Sequence, residues 1–217
     1  MSPISNKTPK NLKEKFDHVY WSICLFNSTL TELQIISDYD YSENELSIAN
    51  SHTFSLYKVT LQYCLIMEYI KLFEIASKRN KEYHASSLFK LNEAILKHKE
   101  SFRLKFIEND EKLTKLKSTT FFKHIKDLRD KKFAHSDSHE KNSPFNIKGF
   151  QTKDFEDAFF HLSVIKEVLV NCSSEFDFEY DLQIPNSVNR TENFIRYQAK
   201  YKDYYYKNYL KASQEGL

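Results

Sequence analysis

The chain has 217 residues, 41% of them hydrophobic and 29% charged, with a formal net charge of +2, 2 Gly, 4 Pro and 3 Cys. That length fits one large domain or a domain with an appendage, and the composition is that of a folding, soluble chain. So few Gly and Pro exclude a turn-rich β-sandwich, a glycine-rich phosphate loop and a Rossmann fingerprint, and the near-neutral charge leaves any nucleic-acid contact to a local patch.

Met1 to Lys15 is polar and Lys-rich with no apolar stretch, so no secretory leader is expected and the cytoplasm is the expected compartment. A first helix is predicted over about 10 to 37, where Phe16, Val19, Tyr20, Ile23, Phe26, Leu30 and Leu33 recur at helical spacing. Asp38-Tyr-Asp-Tyr-Ser breaks it, and Ser42-x-x-Glu45 matches a capping box that opens the next helical region. From about 51 to 78 one apolar stripe runs Phe54, Tyr57, Leu61, Cys64/Leu65, Leu72 and Ile75, and a second runs Val59, Ile66, Ile70 and Phe73. A helix apolar on two faces belongs in the middle of a bundle. Gln62, Glu68, Lys71 and Glu74 interrupt its apolar run, so no membrane span is expected. Glu68 falls inside the first stripe and needs a partner there, because burying an unpaired charge is costly.

A third helix is expected from Ser86 to about Ile107, with Asn109-Asp110 as a break before a fourth helix that starts near Lys112. Leu113, Leu116, Phe121, Ile125 and Leu128 are its inward positions. Ser136 to Thr152 is polar and holds Pro144 and Gly149; Asp154 or Thr152 can cap a fifth helix striped by Phe155, Phe159, Leu162, Ile165 and Leu169. Phe176 to Ile184 alternates enough for a short extended segment, ended by Pro185, and Asn189 to about Lys211 predicts a last helix dense in Tyr and Lys. The expected architecture is all-α: an antiparallel bundle of four to five long helices over 1–172, with 173–217 as an extension packing on the bundle or on a dimer partner. Cys24, Cys64 and Cys172 are far apart in apolar contexts, with neither zinc spacing nor a disulfide framework, and are expected to be buried free thiols.

Residues 128 to 137 read Leu-Arg-Asp-Lys-Lys-Phe-Ala-His-Ser-Asp and carry most of the chemical information. Arg129 stands six positions before His135, with Asp130 directly after the arginine. An always-charged guanidinium near an imidazole is what metal-free phosphodiester cleavage asks for: one holds phosphate oxygens while the other moves a proton. Residues six apart on a helix lie about 120° apart around its axis, so Arg129 and His135 flank one face, and pairing two such helices across a two-fold axis eases the geometry. The same residues also fit an ordinary helix end, with Arg129 paired to an acid and His135 capping the C-terminus.

The segment resembles the Arg-x(4–6)-His signature of the HEPN superfamily, which includes small all-α ribonucleases, and its form is most similar to the abortive-infection, AbiU-like branch. The likeness is a helical pattern over about 10 to 172 and is sharp only at 128–137. The resemblance implies a homodimer whose two motifs line one cleft, with His135 as general acid/base, Arg129 as phosphate clamp and Asp130 orienting one of them. It implies RNA cleavage through the 2′-hydroxyl to a 2′,3′-cyclic phosphate and a 5′-hydroxyl, with no metal or cofactor and with DNA spared. It also implies a toxin or phage-defence effector, with a protein antitoxin as a possible partner. Members of the superfamily serve too as non-catalytic modules that bind nucleotide, RNA or a protein, and that alternative stays open.

Around the motif, Lys131, Lys132 and Asp137 are candidates for further RNA contacts, although such charges are usually a solvated face. Glu68 and His124 are candidates for supporting the motif; for Glu68 a salt bridge to a bundle lysine competes with that role. His135-x3-His139, near Asp137 and Glu140, has the spacing of two metal ligands, but Ser136-Asp-Ser138 ends the helix and no third ligand is placed, so no metal is assigned. The remaining histidines are expected on the surface or in packing. The run from Arg196 to Lys211 interleaves lysines with tyrosines: either the rings stack on bases while the lysines follow phosphates, or Tyr197, Tyr201, Tyr204 and Tyr205 pack the helix against the bundle or a partner subunit.

Overall fold

The frame is α1 (Lys10–Asp38), whose buried Leu12, Phe16, Val19, Ile23, Phe26, Leu30 and Leu33 recur every three or four residues along one face. In the computed structural model, which describes residues 9–74, 87–130, 152–176, 178, 180, 181 and 190–210, seven more helices follow. They are α2 (Glu43–Ala49), α3 (His52–Phe73), α4 (Leu88–His98), α5 (Arg103–Ser118), α6 (Thr120–Leu128), α7 (Thr152–Ser173) and α8 (Arg190–Tyr205). No strand occurs among the described residues, and none of their helices is long and apolar enough to cross a membrane.

α1 runs antiparallel to α3: Ile36 shares a cluster with Phe54, while Phe26 meets Tyr69 with ring centroids 5.2 Å apart. The capping box forms as the sequence predicts, with the Ser42 N–H donating to Glu45 at 3.0 Å, but α2 is short and Ser51 caps α3 afresh. The C-terminal half of α3 is buried on nearly every side, through Leu65, Ile66, Tyr69, Ile70, Leu72 and Phe73. Its N-terminal half is not, since Leu56, Tyr57 and Tyr63 are exposed. The middle of the bundle is therefore shared, and α1, packed against α3, α4, α7 and α8, occupies more of it than α3 does.

The expected break at Asn109-Asp110 is not there. α5 passes straight through these residues, and the chain turns instead at the 3-10 turn Glu100–Phe102 and at Thr119. Asn109 is fully buried and its amide is spent across helices: it donates to Asn92 Oδ1 at 3.1 Å and accepts from Asn171 Nδ2 at 2.9 Å, while Asn92 donates to the Phe106 carbonyl at 3.0 Å. An asparagine satisfied this way has no call to compete for local backbone, which is what makes the residue type a helix breaker elsewhere. We expect Asn109→Ala to cost about 2–4 kcal/mol in a urea titration, because it strands polar groups on both neighbours, whereas Asp110→Ala changes little. A cost near zero for Asn109→Ala would contradict the network.

The segment after α7 turns back on α1. Phe178 stacks on Phe16 with centroids 3.9 Å apart, the Tyr20 hydroxyl donates to the Asp181 carbonyl at 2.7 Å, and Tyr180 shares a hydrogen bond with Ser173. Of the cysteines, which are all free thiols, only Cys172 is fully buried; Cys24 and Cys64 are half-buried, because they lie at the edges of the stripes on α1 and α3. α8 docks on α1 and α2 through Thr191, Ile195 and Ala199, so the tyrosines expected to pack this helix on the bundle do not do so. At one residue per 100° of turn, Tyr197, Tyr201 and Tyr204 fall on the opposite side.

Candidate functional site

The motif arginine stands at the end of α6, and the local sequence explains why the helix is aimed there. Thr119 caps α6, its hydroxyl accepting from the Phe122 N–H at 3.1 Å while donating to the Leu116 carbonyl at 2.7 Å. Phe121, Phe122 and Ile125 bury the inner face, and Leu128 packs on the core one position before Arg129. Arg129 keeps helical backbone angles as the C-cap.

Its guanidinium is mostly buried and gripped from two sides. Nη1 donates to Glu74 Oε1 at 3.0 Å, and Asp130 Oδ1 takes Nε at 2.8 Å and lies 2.7 Å from Nη2. Asp130 is thus bonded to Arg129. Glu74, the C-cap of α3, supplies the second carboxylate and was visible in the sequence only as an acid interrupting an apolar run. Glu68 does not reach the arginine. Although almost fully buried, it pairs with Lys71 at 2.5 Å one turn along α3, the bundle-lysine outcome. His124 lies exposed on the outer face of α6 between Lys123 and Lys126, which are also exposed. Nearby Lys117 has its pKa pushed down, first by burial and then by the charge of Lys126, so cations crowd this side of the bundle. Lys131, Lys132, His135, Asp137 and His139 lie outside the described residues.

Behind the motif helix sits a buried polar chain that the sequence did not reveal. The Tyr69 hydroxyl is 2.6 Å from His161 Nδ1, and His161 Nε2 is 3.2 Å from the Thr119 hydroxyl. The proton arrangement follows from counting donors. Thr119 has spent its one hydrogen on Leu116, so His161 Nε2–H must donate to it, and Nδ1 must accept from Tyr69. His161 is thus neutral, and burial holds its pKa down at about 4; the same burial pushes the Tyr69 phenol up. Phe121 and Phe73 close around the pair with centroids 5.0 Å from His161 and 5.0 Å from Tyr69. With Tyr69 and His161 both shut off from solvent, this hydrogen-bonded chain ties α3 and α7 to the N-cap of α6.

No family model, curated protein or solved structure matches the chain.

Proposed function

We propose that the chain is a metal-independent endoribonuclease of HEPN type, acting as a homodimer in the cytoplasm and serving as a toxin or phage-defence effector. In this reading His135 moves the protons, Arg129 holds the phosphate and Asp130 fixes the guanidinium. The observation that carries it is the pre-set arginine. A guanidinium has five N–H donors in a rigid fork, more than the three that Asp130 and Glu74, its partners among the described residues, engage. A partly buried, pre-oriented arginine loses little freedom when an anion arrives.

A second reading has its own observation. Two carboxylates on one guanidinium offset its charge, which favours a non-catalytic helical module that binds nucleotide, RNA or a protein partner. RNA degradation in EDTA by the full-length chain, set beside Arg129→Ala and His135→Ala, separates the two. Cleavage lost in both variants supports the nuclease; cleavage unchanged in both, or absent from the parent chain, leaves the binding module.

A further inference from the structure

We propose that the outer face of α8 is a stacking platform for single-stranded RNA. The inference rests on the proposed function in that RNA is the ligand, and it adds a second contact region far from Arg129.

Three tyrosines, Tyr197, Tyr201 and Tyr204, stand 66%, 65% and 58% exposed on the side of α8 opposite its docking stripe. Tyr201 and Tyr205 lie nearly parallel, with ring centroids 6.5 Å apart and 27° between planes. Exposed aromatic rings at helical repeat are unusual on a surface that touches nothing, because each leaves a large apolar face in water. The face also has a sign. Exposed Lys200 lies between the tyrosines, while the helix's two carboxylates turn toward the bundle: Asp203 accepts from Asn44 at 3.0 Å, and Glu192 acts on Tyr41 and Arg196. Lys202 is likewise taken up, donating to Ser47 at 3.0 Å. A ladder of π-faces beside a cation, with no carboxylate on it, suits a ligand that alternates flat bases with phosphates.

The charge also argues against a second copy of the chain as the occupant. Across a two-fold axis each residue near the axis meets its own copy, which would bring Lys200 against Lys200 with no acid among the described residues of the face to offset it. Position within the bundle then says which RNAs use the platform. α8 joins the bundle at a cluster of Ile36, Ala49, Phe54 and Ile195, beside the start of α3, whereas Arg129 is bonded to Glu74 at its end. Twenty residues of helix separate these points, about 30 Å. A dinucleotide held at Arg129 cannot reach the tyrosines; a strand many nucleotides long can.

The test is fluorescence anisotropy of the full-length chain with a labelled 2′-O-methyl oligouridine of about 15 nucleotides, which cannot be cleaved. The triple variant Tyr197→Ala/Tyr201→Ala/Tyr204→Ala is expected to lose affinity roughly tenfold per ring, and the triple Tyr→Phe variant to keep it, since stacking needs the ring and not the hydroxyl. Lys200→Ala should lower the slope of log K against log salt by about 0.7. Unchanged affinity in the triple Ala variant, or no binding by the parent chain, overturns the proposal. So does sedimentation showing that those substitutions abolish a dimer instead. Because the probe is inert, loss of cleavage in Arg129→Ala with binding intact bears only on the nuclease reading.

Discussion

Arg129→Ala and His135→Ala each lower the rate of RNA cleavage in EDTA by about 10²- to 10⁴-fold, the range that a positioned proton donor or an electrostatic clamp supplies to a transition state. Arg129→Lys restores little of it, because an ammonium keeps the charge but loses the planar fork. The fold survives the change: the pairs with Asp130 and Glu74 are partly exposed, with Glu74 showing a third of its side chain, so their loss costs about 1 kcal/mol or less. Activity should therefore vanish while the thermal midpoint stays within a few degrees. Glu74→Gln runs the other way. It removes the carboxylate that competes with phosphate for Nη1, so KM for RNA falls a few-fold while kcat holds. A rise in KM would make Glu74 part of the grip on substrate and not a rival to it.

We expect His161 to lower the stability of the chain as pH drops from about 6.5 to about 4. Its folded-state pKa is depressed to about 4 by burial against Tyr69 and Phe121, below the value of 6.5 in an open chain. Between those values the unfolded chain takes up a proton that the folded one refuses. The unfolded state then binds more protons, so the unfolding free energy rises with pH through this window and the contribution is complete above it. The full swing is on the order of 3 kcal/mol, a large share of the stability of a domain this size. His161→Gln keeps a donor and an acceptor in place without titrating, so its urea midpoint should be much flatter between those pH values. An equal pH slope in parent and variant would mean that the folded imidazole takes up its proton as readily as the unfolded one, against the cost of its burial.

Where hydrophobic period alone decides an element, the sequence is readable: α1, the capping box at Ser42, the C-terminal half of α3 and the stripe of α7 all form at the predicted positions. Where a polar residue sits in the core, it misleads. Asn109 looks like a break because single residues are judged by what they do in isolation, and only the neighbours Asn92 and Asn171 make it a helix interior. His161 and Tyr69 belong to helices 92 residues apart in sequence, and no local pattern marks the bond between them. The candidate site divides the same way. Arg129 and Asp130 stand out by adjacency, whereas Glu74 is recruited from 55 residues upstream by the packing of α6 on α3. On α8, composition flags both tyrosines and lysines, but which face meets the bundle is settled by the small and apolar trio Thr191, Ile195 and Ala199.

The most direct measurement is the chemistry of the cut ends. Mass spectrometry of a short RNA incubated with the purified chain in EDTA should show a 2′,3′-cyclic phosphate on one product and a 5′-hydroxyl on the other, and a single 2′-deoxy substitution at the cut position should block cleavage there. Products bearing a 3′-hydroxyl and a 5′-phosphate, or cutting that persists across the deoxy linkage, would contradict the account.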